Sequence, residues 1–181
     1  MALRRYLYFF ALLVIAFTGL ARAAQPLPTV PVIDLPRYLG NWFEIAKFPN
    51  WFQRKCVAKT RAEYSLRSDG SMQVTNRCTL ASGKVDEAIG TARQMGSASS
   101  PKLQVRFAPD WLSMIPAVWG DYWIVALDEN YQWVAVSEPQ REYLWVLSRT
   151  PRMDPRTYGD LLIRLSSLGL DVQKLELTAQ D

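Results

Sequence analysis

The 181-residue chain carries 21 Lys and Arg against 17 Asp and Glu, no His and two Cys. Without histidine there is no Ser-His-Asp or Cys-His catalysis, no His-built metal site and no ordinary general base near neutral pH. Two cysteines are too few for a Cys-rich metal cluster, so no cofactor or metal is expected.

Arg4 and Arg5 precede an uncharged apolar run, Tyr6 to Leu20, which ends in Ala21-Arg22-Ala23. That is the pattern of a secretory signal peptide over residues 1–23. The run is short for a membrane span, which needs about 20 residues. Losing Arg4, Arg5 and Arg22 leaves 18 basic residues facing 17 acidic ones. The basic footprint of a nucleic-acid binder is therefore absent. The remaining length suits one domain.

Residues 24–36 hold Pro26, Pro28, Pro31 and Pro36 and read as an extended arm on the surface. From there to residue 181 no domain boundary interrupts the pattern. Eight strand signals follow: Trp42 to Phe48, Ala58 to Leu66, Met72 to Leu80, Val85 to Met95, Leu103 to Phe107, Tyr122 to Leu127, Gln132 to Ser137 and Tyr143 to Arg149. Ser68-Asp69-Gly70-Ser71 carries the Asp-Gly hairpin signature. A meander of short connections predicts an all-β, eight-stranded antiparallel up-and-down barrel, because closure removes unpaired edges. A β-sandwich is the alternative. One helix is expected after Asp154 as N-cap, with Pro155 first and Gly169 beyond its end. Its stripe of Tyr158, Leu161, Leu162, Leu165 and Leu168 should pack on the outside of the barrel. Val172 to Leu177 reads as a final strand.

Several segments resemble the lipocalin family, in particular its bacterial outer-membrane branch. Gly40-Asn41-Trp42 matches the family's G-x-W. Asp128, in Leu127-Asp128-Glu129-Asn130-Tyr131, matches one position of its middle motif. Arg149, in Leu147-Ser148-Arg149-Thr150-Pro151, matches its basic residue after the eighth strand. The resemblance implies that Arg149 lies over the Trp42 ring at the closed end, a cation–π contact. It also implies an exported lipid binder, not an enzyme, taking a fatty acid or lysophospholipid and serving the envelope under stress; a binder of another small hydrophobic molecule, or an interaction protein using the apolar 111–119 loop, is the alternative. The leader has no Cys to acylate, so the expected location is the periplasm, peripheral to the outer membrane at most.

Barrel strands alternate inward and outward. Leu103, Val105 and Phe107 are expected inside, with Gln104 and Arg106 outside. Thr60, Ala62, Tyr64 and Leu66 are expected inside, and Trp42, Glu44 and Ala46 share one face. The expected ligand-contacting set is Ala46, Ala62, Tyr64, Phe107, Tyr122, Tyr143 and Trp145, with Trp119 added by resemblance near the mouth. For each aromatic the competing role is plain core filling. An inward Glu44 must be paired, either by hydrogen bonds near the base or by a polar ligand head.

The loop from Trp111 to Trp119, with Leu112, Met114 and Ile115, is unusually apolar for solvent. Three roles stay open for it: a lid over the ligand, a homodimer contact, or a membrane contact, since Trp favours the lipid interface. Export makes a Cys56–Cys78 disulfide expected. The hairpin register places Cys78 opposite about Thr60, roughly 13 Å of regular strand from Cys56. That is too far to bridge, so Cys56 should precede the regular strand, where the chain can fold back.

Overall fold

The computed structural model describes residues 26–181; the leader expected over residues 1–23 lies outside them. A short helix α1 (Leu35–Tyr38) precedes β1 (Gly40–Lys47), β2 (Cys56–Leu66), β3 (Met72–Leu80), β4 (Val85–Gln94), β5 (Lys102–Arg106), β6 (Gly120–Leu127), β7 (Trp133–Ser137) and β8 (Leu144–Ser148). The helix α2 (Pro155–Ser167) and a two-residue strand β9 (Glu176–Leu177) follow. Each of β1 to β8 pairs antiparallel with the next, and β1 also pairs with β8, so the sheet closes into an eight-stranded barrel rather than a sandwich.

Local chemistry sets the turns. Asp69 accepts hydrogen bonds from the Ser71 backbone N–H and hydroxyl, and Gly70 supplies the φ of +82° in that hairpin. Asp154 caps α2 by accepting from Thr157 N–H, and Gly169 ends it with φ +79°. The Gly169 and Leu170 N–H groups then satisfy the Ser166 and Leu165 carbonyls, a Schellman closure. Leu161 and Leu165 are buried on the barrel's outer wall with Val125, Ala126, Ala135, Leu144 and Val146.

A second core fills the closed end from inside, built around Tyr38, Trp42, Tyr64, Met72, Val74, Leu103, Tyr122 and Ile124. The N-terminal arm joins both cores. Leu27, Val30 and Ile33 are buried, and the Val30 and Ile33 N–H groups bond the Ile124 and Ser99 carbonyls. The expectation of a surface arm is thereby corrected: its apolar residues between the prolines are part of the packing.

Three further expectations change. First, Ala46 does not face the lumen. The β1–β8 pairing slips at Ile45, so Glu44 opposes Leu147 but Ala46 opposes Val146. This bulge reverses the alternation, sends Ala46 to the helix-covered core and turns Lys47 to the side of Trp145. Second, the expected strand over residues 172–177 is a 3-10 turn at Val172–Lys174 followed by the two residues of β9. β9 pairs with the upper end of β1. Third, Cys56 begins β2 instead of preceding it, and the bridge to Cys78 forms with a Cα–Cα distance of 5.5 Å. Two register shifts in β2, between Cys56 and Ala58 and between Ala58 and Arg61, absorb residues and bring Cys56 opposite Leu80. Within the second shift Lys59 adopts φ +54°.

Above their paired lower halves β1 and β2 separate, and the C-terminal segment fills the gap. Thr178 N–H bonds the Ile45 carbonyl, Lys59 N–H bonds the Ala179 carbonyl, and the Gln180 amide bonds both the Glu44 and Thr60 carbonyls.

Candidate functional site: the barrel lumen

The closed end is held from below. Arg149 lies 3.8 Å above the Trp42 ring centroid and donates to the carbonyls of Arg37, Tyr38, Asn41 and Tyr131. Trp42 Nε1 donates to the Tyr38 carbonyl at 2.8 Å. Asp128 orders the neighbouring turn by accepting from the Asn130 and Gln132 N–H groups. Gly40 lies 3.5 Å beneath the Arg149 guanidinium at the place a Cβ would take, with φ +92°, so a side chain there would be strained.

The floor of the lumen is made of three tyrosine hydroxyls. Tyr122 Oη lies 2.7 Å from Tyr38 Oη and 2.8 Å from Tyr64 Oη, and all three residues are buried. Burial pushes the Tyr64 phenol up to about 12 and holds those of Tyr38 and Tyr122 well above their ordinary value. The three are therefore protonated, hydrogen-bonding phenols throughout the physiological range.

In the lower wall small residues alternate with large ones. Cross-strand pairing aligns Trp42, Ala62, Asn76 and Ala88, and next to them Tyr64, Val74 and Gly90. The Phe107 ring lies against the inner side of Gly90, where a Cβ would meet it at 2.8 Å. Phe107 nevertheless remains 45% exposed, and Ala88 is exposed as well. Inward-facing residues that reach solvent mark an open cup above a closed base.

Arg106 is the converse case. It faces outward as expected yet is only 4% exposed, because the 107–119 segment folds down over the outer wall. Its guanidinium bonds the Ala108 carbonyl and Asp110, leaving Nε without an acceptor. Trp119 is clamped between Arg93 and Arg106, 3.9 and 5.2 Å from its ring centroid, and bonds the Ser113 carbonyl. Arg93 shares its cross-strand position with Gln104 and Asp121, on the outside of the barrel. Trp119 is thus separated from the lumen set. The loop lies along the wall and not across the mouth, so it is not a lid in this structure. Trp111 and Met114 are 80% and 88% exposed, Ile115 is exposed and Leu112 is half-buried.

The β1–β2 loop packs instead against the β8 side of the mouth. Phe52 packs on Tyr143 and Trp145, which stack on each other at 5.8 Å, and Trp51 meets Phe52 edge-on. Gln53 reaches inward: its carbonyl accepts from Trp145 Nε1 at 2.9 Å and its amide donates to Glu44 at 2.7 Å. The other Glu44 oxygen accepts from the Thr178 hydroxyl. Glu44 is therefore paired by the mouth loop and the C-terminal segment, not near the base. Burial raises its pKa, while the bonds from Thr178 and Gln53 and the charge of Lys47 lower it less.

Of the sequence-derived set, the structure gathers Ala62, Tyr64 and Tyr122 low in the lumen, Phe107 on its open wall, and Tyr143 and Trp145 at the mouth. Ala46 and Trp119 lie elsewhere. Tyr38, Phe52, Gln53 and Thr178 were not foreseen. Only the adjacent aromatics Trp51-Phe52 carried a signal, since an aromatic pair in a loop needs cover. Among the described residues no cluster of His, Cys, Asp or Glu could hold a metal.

Residues 33–180 match the family described as a lipocalin-like domain. The chain belongs to the lipocalin family. It is 40% identical to temperature-induced lipocalin-1 of Arabidopsis thaliana over 158 residues, 86% of this chain and 84% of that protein. It is 36% identical to the outer membrane lipoprotein Blc of Escherichia coli K12, covering 78% and 76%, and 34% identical to mouse apolipoprotein D, covering 84% and 82%. Insecticyanin of Manduca sexta superposes with a TM-score of 0.64 at 19% identity, covering 86% and 84%, and shares the fold. Lipocalins in general bind small hydrophobic ligands.

Proposed function

We propose that this lipocalin binds fatty-acid or lysophospholipid-like lipids, stores or carries them in the cell envelope, and performs no catalysis. The observation that carries this reading is the open cup: Phe107 and Ala88 face inward and stay accessible above a closed, largely aromatic base. Its wall is apolar apart from Asn76, and its mouth is rimmed by Tyr143 and Trp145. Burying an acyl chain contributes about 0.8 kcal/mol per methylene. About 16 methylenes then contribute ~13 kcal/mol, which leaves micromolar affinity when the association cost lies near the lower end of ~4–15 kcal/mol. Similarity to an outer membrane lipoprotein and to an apolipoprotein supports a lipid and an exported setting, and envelope maintenance under stress is the role we assign. Native mass spectrometry of the protein from its producing cell should reveal a co-purifying lipid, and a fluorescent fatty acid should bind and be displaced. A clean apo mass with no uptake of the probe overturns the reading.

A second reading concerns the outer loop. Trp111, Met114 and Ile115 are exposed, and Met114 shares a surface hollow with Arg93, whose guanidinium stacks on Trp119; an exposed Trp with a neighbouring cation suits a peripheral contact with an anionic lipid surface better than a homodimer. Trp111→Ser with Leu112→Ser should abolish co-sedimentation with phosphatidylglycerol vesicles without changing oligomeric mass. Unchanged sedimentation removes this contact, and a loss of dimer mass instead assigns the loop to a second copy.

A further inference from the structure

The floor of the lumen has a hydrogen-bond imbalance. Three hydroxyls offer three protons, and the two contacts through Tyr122 use two of them. A buried donor with no acceptor costs about 1–3 kcal/mol. Phe107, open to solvent, stacks on Gly90, which belongs to the same cross-strand row as Tyr64 and Val74. The open part of the lumen therefore abuts the layer that carries Tyr64, which is itself buried.

We infer that the floor is a polar recognition point, at which the remaining proton of the Tyr38–Tyr122–Tyr64 chain is donated to an uncharged oxygen at the buried end of a long apolar ligand. This rests on the lumen being a lipid site and adds which lipids it prefers. A carboxylate or phosphate fits the floor poorly. The nearby cation, Arg149, lies behind Trp42 and is committed to four backbone carbonyls. An anion buried without a facing cation is costly. An alcohol, ketone or ester oxygen needs only the donor. A site built to bond such a group discriminates against the analogue lacking it, because the protein donor is then left unpaired. The charged head of a two-ended ligand would then sit at the mouth, in reach of water.

The test is displacement of cis-parinaric acid by saturated fatty acids of 12 to 18 carbons and by their ω-hydroxy counterparts. At the best-fitting length the hydroxylated chain should bind the wild-type protein on the order of tenfold more tightly, about 1.4 kcal/mol. A protein with Tyr38→Phe, Tyr64→Phe and Tyr122→Phe together should lose or reverse that preference, read as the ratio of the two affinities. Equal affinities at every length in the wild type overturn the inference and leave the lipid reading intact, whether or not the triple variant folds. A preference that survives in the folded triple variant removes the tyrosines from it. Displacement by neither series defeats the lipid reading itself.

Discussion

Glu44 shows how a single side chain joins the mouth to the wall. Its two oxygens take hydrogen bonds from Gln53 and Thr178, but burial dominates and its pKa is raised. A raised acid pKa means that the native state holds its proton more tightly than the unfolded chain. The associated stability is complete below the ordinary value of 4.5 and is lost as pH rises through the native pKa. Glu44→Gln mimics the protonated form. It should match the wild type near pH 4 and exceed it in Tm at pH 7.5, with the gap widening between. A gap that is constant across that series would show that the carboxylate is not destabilised by burial. The inward position of Glu44 was readable from the alternation of β1, but its partners were not, because both come from segments without regular periodicity. Trp42 and Arg149 were readable as a pair because each sits in a short motif whose geometry is local to the closed end.

Strands were legible as strands, and their irregularities were not. Alternation assumes two residues per repeat, and a bulge adds one residue without a compositional mark. At Ile45 this moved Ala46 from the expected lumen set to the outer core. In β2 the same device made the disulfide possible where a regular register forbade it. The bridge closes a loop of 22 residues in sequence separation. Replacing both cysteines by Ala should cost about 3 kcal/mol in the chain-entropy account. Urea unfolding checks this, and a loss below about 1 kcal/mol would mean that the bulged hairpin holds its shape unaided. Prolines misdirected the reading of the arm, since they fix an extended backbone but say nothing about what lies between them. Leu27, Val30 and Ile33 occupy those intervals and are buried.

For the molecule as a whole, the fold and the closed end followed from the sequence, while the division between inner and outer surfaces needed coordinates. Arg106 and Phe107 keep their expected directions, yet the outward residue is covered and the inward one is open. Only the path of the loop after β5 decides that. Arg149, itself just beyond β8, bonds four backbone carbonyls beneath the barrel, three in the 37–41 stretch and one at Tyr131. Arg149→Met removes charged hydrogen bonds and the cation–π contact, so a loss of about 2–4 kcal/mol is expected in urea unfolding. A smaller change would assign the closed end's stability to Trp42 and Tyr38 packing alone.

The gap between the upper halves of β1 and β2 is filled by residues more than a hundred positions away: Thr178 to Glu44 spans 134 and Gln180 to Thr60 spans 120. Contacts so distant in sequence impose a large loop-closure entropy before they yield any energy. This seam should therefore form after the barrier to folding has been crossed. Substitutions in it would accelerate unfolding and leave the refolding rate nearly untouched. The backbone amides of Thr178 and Lys59 should exchange with deuterium sooner than those of Trp42 or Ile124, making the seam the place where the barrel first opens.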